Sequence, residues 1–78
     1  MTLYQMLAEI DKLNKHQIRS LRKVLAGRGV AKSINVDQQI SKVTVTFERS
    51  NGKEVSHFIL LGPRGRIIYH DKTFSRCS

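Results

Sequence analysis

The residues with the greatest chemical potential lie in one short stretch, SHFILLGPRGRIIYHD, which spans residues 56–71. It holds two histidines, His57 and His70, and two arginines, Arg64 and Arg66, around a glycine–proline turn. Opposed histidines can bind a transition metal, and arginines beside the free N–H groups of a turn can hold a phosphate. Which chemistry is available depends on the elements that position these four side chains.

The chain has 78 residues, enough for one small domain with a single thin core. It is 40% hydrophobic and 26% charged, and no apolar run has the length that crosses a bilayer. Its one cysteine cannot form an internal disulfide, and its first residues lack the features of a secretory signal. We therefore expect one basic domain over residues 1–78, located in the cytoplasm and without membrane contact.

Residues 2–27 show the apolar spacing of an amphipathic helix. The apolar stripe comprises Leu3, Met6, Leu7, Ile10, Leu13, Ile18, Leu21, Val24 and Leu25. Thr2 with Gln5 predicts an N-terminal capping box, and Asn14 with Gln17 predicts a second one. Because an unbroken helix would be about 39 Å long and would overhang the strands, the pattern favours a break near Asn14. One long helix remains the alternative to a helical hairpin.

From residue 30 to residue 74 the sequence is rich in strand formers separated by turns. Asn51-Gly52 indicates a tight hairpin loop, and the segment GPRG at residues 62–65 suits a type I turn. The predicted strands are 41–49, 54–61 and 66–73, with 30–36 as a candidate edge strand and 75–78 as a tail. The fold class is therefore α+β, an N-terminal helix or helical hairpin on one face of a three- or four-stranded antiparallel meander.

Two-residue loops at Asn51-Gly52 and Pro63-Arg64 predict which residues oppose one another, and hence the two faces of the sheet. The predicted core face consists of Val43, Val45, Phe47, Phe58, Leu60, Ile67 and Tyr69. On the outer face, His57 opposes His70 within an apolar patch framed by basic residues. The candidate partner-binding residues on that face are Val55, His57, Ile59, Leu61, Ile68 and His70. A monomer with a wet outer face also tolerates scattered aliphatic side chains, so the patch alone does not establish a partner.

The same register leaves the histidine pair without a third metal ligand. Asp71 points to the opposite face, and Thr46 in the same row is a poor ligand for zinc. We therefore expect no metal site and no cofactor. The serines, Asp71 and the histidines show no spacing of a catalytic triad, and so small a domain encloses no site, so we do not expect an enzyme.

Charge is the strongest global signal, because 14 Lys and Arg against 6 Asp and Glu give a net charge of +8. Such a field favours nucleic acid, an anionic membrane surface or an acidic protein as partner. The candidate phosphate-binding residues are Lys12, Lys15, Arg19 and Lys23 on the polar side of the helical segment, and Arg64 and Arg66 at the hairpin tip. Since the register puts the strand aromatics in the core, it predicts electrostatic contact without a stacking platform.

The sequence thus predicts a small, basic, non-enzymatic protein that binds nucleic acid through phosphates with low sequence specificity. The alternative is a modulator or inhibitor of another protein, such as a phage- or plasmid-like accessory protein of a nucleic-acid enzyme. That alternative uses the outer face of the sheet, and a homodimer is one version of it.

Overall fold

The computed structural model describes residues 2–49 and 52–76, which form two helices and four strands. The helices are α1 (Leu3–Ile10) and α2 (Lys15–Leu25), and the strands are β1 (Ala31–Asp37), β2 (Lys42–Glu48), β3 (Lys53–Leu61) and β4 (Ile67–Arg76). The strands make one antiparallel sheet in the order β1-β2-β3-β4. The predicted α+β class is confirmed, and the candidate edge strand exists as β1. Because β4 continues to Arg76, the predicted tail begins too early; residues 77 and 78 lie outside the described residues.

The helical segment is broken where the second capping box was predicted. The Asn14 side chain accepts a hydrogen bond from the Gln17 N–H at 2.9 Å, and the Gln17 side chain accepts one from the Asn14 N–H at 3.1 Å. Thr2 and Gln5 form the same reciprocal pair at the start of α1. These bonds satisfy N–H groups that have no partner within a helix, which is why α2 starts anew at this point. In the described part of the chain, neither helix has the length and apolar character to cross a membrane.

The helices cover one face of the sheet, called here the inner face, and the other is the outer face. The buried core comprises Leu13, Leu21, Ile34, Val36, Val43, Val45, Phe47, Ile59 and Leu61. Helix α1 lies against β1, where the Glu9 carboxylate accepts a hydrogen bond from the Val36 N–H at 3.1 Å. This bond occupies one outward N–H group of an edge strand, which would otherwise be free to pair with another chain.

The pairing of β2 with β3 differs from the predicted register by one residue. Val45 lies opposite His57, where Phe58 was predicted. The cause is the loop, because the Arg49 N–H donates to the Lys53 carbonyl at 2.8 Å and so brackets three residues instead of two. Gly52 is the third, with φ of +78°; Ser50 and Asn51 of the predicted turn lie outside the described residues. A type I turn followed by a left-handed glycine is a common three-residue hairpin loop.

The loop between β3 and β4 is also a three-residue loop that ends in a left-handed glycine. The Gly65 N–H donates to the Gly62 carbonyl at 3.0 Å, which closes the predicted four-residue turn. The Gly62 N–H donates to the Arg66 carbonyl at 2.7 Å, so Gly65, with φ of +84°, is the third loop residue. A β-bulge follows at once, and Ile68 is the extra residue on β4. Loop and bulge together move β4 by two residues relative to the prediction.

These shifts exchange the faces of β3. Its inner side chains are Val55, His57, Ile59 and Leu61, all of them buried. The prediction that they face outward, with Phe58 and Leu60 in the core, is wrong. Ile67 and Tyr69, also predicted for the core, are exposed, and Tyr69 lies opposite Leu60 on the outer face. Because β3 is apolar on both faces, its pattern does not select a register, and loop length decides it.

The tip of the β3–β4 hairpin packs against the first turns of α2. The Asn14 side-chain amide donates to the Pro63 carbonyl at 2.8 Å, and that of Gln17 donates to the Gly62 carbonyl at 3.1 Å. The Ser20 hydroxyl donates to the Gly65 carbonyl. The backbone of the hairpin tip is in direct contact with the backbone of α2 at this junction. A Cβ on Gly65 would lie 2.8 Å from the His16 carbonyl carbon. The close approach requires a residue without a side chain.

We expect Gly65→Ala to lower the free energy of unfolding by more than Gly52→Ala does. Both substitutions place alanine at a positive φ, which costs about 1–2 kcal/mol. Only at Gly65 would the new Cβ also collide with α2, whereas at Gly52 nothing lies within 4 Å. The collision should add about 1–3 kcal/mol, as overpacking does in cores. Urea unfolding followed by circular dichroism measures both, and equal losses would contradict the junction described here.

Candidate functional site

The two faces of the sheet differ in charge. Four of the six acidic residues lie on the outer face, namely Asp37, Glu48, Glu54 and Asp71. The basic residues of that face include Lys42, Arg66 and Lys32, and the Lys32 ammonium pairs with the Glu54 carboxylate. Helix α2 contains no acidic residue, and its basic residues lie on the helical side, away from the outer face. The surplus of positive charge is therefore concentrated on the helical side.

Three of the predicted phosphate-binding residues line up along α2. Lys15, Arg19 and Lys23 are exposed and recur every four residues, so they occupy one helical stripe about 12 Å long. Lys12 lies before the helix, and its ammonium is 2.6 Å from the Glu9 carboxylate. That ion pair offsets the charge of Lys12, which separates it from the other candidates.

The two predicted arginines of the hairpin tip, Arg64 and Arg66, are exposed as well. Arg64 lies between Pro63 and Gly65, whose carbonyls bind α2 near the start of the Lys15 stripe. Arg66 instead belongs to the outer face, since its Cβ lies 3.6 Å from a Cβ built on Gly62, on the side opposite the buried Leu61. Four of the six predicted residues, Lys15, Arg19, Lys23 and Arg64, therefore belong to the helical side of the molecule.

At the other end of α2 an open cleft of about 280 Å³ separates the α2–β1 loop from the inner face of the sheet. Its basic lining residues are Arg28, Arg49 and Lys72, its aromatic ones Phe47 and Phe74, and its titratable one on β3 is His57. Gly27 also lines the cleft, just beyond the end of α2 at Leu25. Glu48, an outer-face residue by its position in the register, also lines the cleft and brings a carboxylate next to its cations.

The cations of the cleft surround an aromatic ring and are partly held in place. The Arg28 Nε donates to the Val24 carbonyl at 2.8 Å, which fixes the guanidinium beside the end of α2. The Arg49 guanidinium lies 5.5 Å, and the Lys72 ammonium 5.7 Å, from the centroid of the Phe74 ring. Both distances are within the range of cation–π attraction. Such a cluster can accept phosphate oxygens in a fixed geometry.

A histidine pair lies next to these cations. His57 is 2% exposed, and its Nδ1 is 3.0 Å from the Nε2 of His70. The two rings therefore meet as predicted, although on the inner face and with His70 paired to Ile59 in the sheet. Burial, followed by electrostatic repulsion from Arg28, His70 and Lys72, lowers the pKa of His57 below its usual 6.5. His57 is thus neutral at pH 7, and the shared hydrogen bond satisfies its buried nitrogen.

The pair does not form part of a larger ligand cluster. Among the described residues, no group of three or more His, Cys, Asp or Glu side chains is placed to hold a metal ion. One nitrogen of each ring is already engaged in the bond between the rings. What the cleft can do chemically is bind an anion through its cations.

The predicted partner-binding surface is not assembled. Val55, His57, Ile59 and Leu61 are buried on the inner face, whereas Ile68 and His70 are exposed. The outer face instead presents Ile40, Phe58, Leu60 and Tyr69, with the Lys42 ammonium 5.4 Å from the centroid of the Phe58 ring. The physical reason is the exchange of faces on β3 described above.

The sequence analysis missed Arg28, Arg49, Lys72 and Phe74 as site residues. A glycine at the third loop position is visible in both turns and would have corrected the face of β3. The bulge at Ile68 has no such signal, and with both loops three residues long it decides that Lys72 and Phe74 lie on the inner face. Their membership of the cleft follows only from the tertiary structure.

Comparison with known proteins adds no assignment: no protein-family model, no curated protein and no solved structure matches this chain.

We expect the free energy of unfolding to fall as the pH drops below 6.5. The unfolded chain binds a proton at His57 near that pH, while the folded protein resists protonation because the pKa is lowered. The contribution of His57 to the free energy of unfolding is therefore fully present above pH 6.5 and is lost progressively below that pH. The carboxyl of Glu9, whose pKa the Lys12 and Val36 hydrogen bonds lower from 4.5, titrates in a more acidic range.

Urea unfolding at a series of pH values measures this dependence, with His57→Gln expected to flatten it. His16→Gln is the matched control, because His16 is exposed on α2. If His57→Gln does not fold, an NMR titration of the native protein gives the pKa of His57 directly. A value at or above 6.5 would contradict the prediction.

Proposed function

We propose that this protein binds nucleic acid through its helical side, by contacts of lysine and arginine with phosphates and with little sequence specificity. The observation that carries the proposal is the segregation of charge, with basic residues along α2 and around the cleft and four of six acids on the outer face. A uniformly basic surface would leave the orientation of a polyanion open. Because the basic residues lie on one side, a polyanion would bind with that side facing it.

The arrangement of the cations suits a polymer better than a small anion. From the hairpin tip, basic side chains continue along the stripe of Lys15, Arg19 and Lys23 to Arg28 at the cleft. Nucleic acid presents phosphates at regular intervals, and each phosphate neutralised by a cation releases bound counterions. This release is the main source of affinity in binding without sequence specificity.

Nucleic-acid binding also requires a compartment that holds nucleic acid, which agrees with the expected cytoplasmic location. The proposal assigns no catalytic step to any residue. The alternative of a protein-interaction modulator stays a prediction, but four of the six residues expected to carry it are buried.

We expect Lys23→Gln to weaken binding to single-stranded and duplex DNA and RNA and to reduce the salt dependence. If Lys23 contacts one phosphate, the slope of log affinity against log salt should become shallower by about 0.7–0.9. Lys42→Gln is the matched control, since it removes the same charge from the outer face. Fluorescence anisotropy with labelled oligonucleotides between about 50 and 200 mM salt measures both slopes.

Two outcomes would overturn the proposal. One is the absence of binding to any of these nucleic acids at the lowest salt concentration. The other is an equal effect of the two substitutions, because net charge would then matter and the helical side would not.

A further inference from the structure

An exposed aromatic ring lies in the middle of the basic cleft. Phe74 is 55% exposed, although its side chain lies on the inner face of β4, opposite Val55. The helices leave this part of the inner face open, so the ring faces the cleft. A large apolar side chain gains little stability when half of it stays in water, so its value to the fold is limited.

The charges around the ring are those that a nucleotide requires. The Arg49 guanidinium and the Lys72 ammonium lie over the ring, 5.5 and 5.7 Å from its centroid, and Arg28 lines the same cleft from the α2 side. A base that stacks on the ring takes the place of one of these cations, which then lies beside the base, next to its phosphates. A base can stack on an aromatic side chain while the phosphates on either side of it bind cations. From this juxtaposition we infer that the cleft binds one unpaired nucleotide of a single strand, with the base against Phe74 and its phosphates at Arg28, Arg49 and Lys72. The inference rests on the proposed function and names the form of nucleic acid that the site selects.

The selection for unpaired bases follows from geometry. In a duplex, neighbouring base pairs cover both faces of every base, so an aromatic ring can stack only on a base that has left the stack. The cleft measures about 280 Å³, which suits a fragment of one nucleotide and is far smaller than a double helix. Duplex DNA can still contact the α2 stripe by its phosphates, but without the stacking contribution.

The other exposed aromatic cluster is a poorer site for the same ligand. Phe58 and Tyr69 lie on the outer face, where the Tyr69 hydroxyl donates to the Asp71 carboxylate at 3.1 Å. That face carries most of the acidic residues, which repel phosphates. Tyr69 is 50% exposed and belongs to the same strand as Phe74, so it provides an internal control.

The test compares two ligands of equal charge, an oligothymidylate of about ten nucleotides and an abasic oligonucleotide of the same length. The native protein should bind the oligothymidylate about five-fold to a hundred-fold more tightly, the range that one stacked base contributes. Phe74→Leu should remove this preference, so that the variant binds the oligothymidylate and the abasic strand with equal affinity. Tyr69→Leu should leave both affinities unchanged. Fluorescence anisotropy at one low salt concentration measures all of them.

The outcomes separate this inference from the function on which it rests. Equal, salt-dependent binding of the two ligands by the native protein would overturn the stacking site and leave phosphate binding intact. Loss of the preference in Tyr69→Leu, with Phe74→Leu unaffected, would place the base on the outer face and also overturn it. Failure to bind either ligand at low salt would overturn both proposals together.

Discussion

The left-handed backbone at Gly65 is the constraint on which the rest of the structure depends. With φ of +84°, it ends a three-residue loop and thereby sets where β4 starts to pair with β3. At the same place its lack of a side chain lets the hairpin backbone reach the His16 carbonyl and accept a hydrogen bond from Ser20. One residue thus couples sheet register to helix position. Together with the hydrogen bonds from Asn14 and Gln17 to the same hairpin tip, this contact fixes the first turns of α2 against the β3–β4 hairpin.

The register of β3 buries His57, which desolvates a polar ring and also brings it into hydrogen-bond contact with His70. A polar ring sits in a row of aliphatic side chains on β3, and desolvation together with nearby cations keeps it uncharged. Its hydrogen bond to His70 satisfies the buried nitrogen and joins the core to the rim of the cleft. Because the neutral ring adds no charge, the positive potential of the cleft comes from side chains that water and ligands can reach.

The two sides of the domain differ in charge. The outer face carries Asp37, Glu48, Glu54 and Asp71, whereas α2 has only basic and neutral residues. In the proposed function, this segregated charge would orient an approaching polyanion before contact. The cleft beside Phe74 would then provide a local feature within that open surface.

The sequence by itself determined the elements, because their signals are local. Both capping boxes, including Asn14 with Gln17, and the alternation of the strands follow from neighbours within a few residues. It also determined that most basic residues of α2 lie on one helical face. Only the tertiary structure decided the faces of β3 and β4, since β3 is apolar on both sides and its register depends on loop length and on a bulge at Ile68. The cleft is lined by residues from four separate segments, among them Arg28 and Phe74. No local sequence pattern predicts that these segments come together.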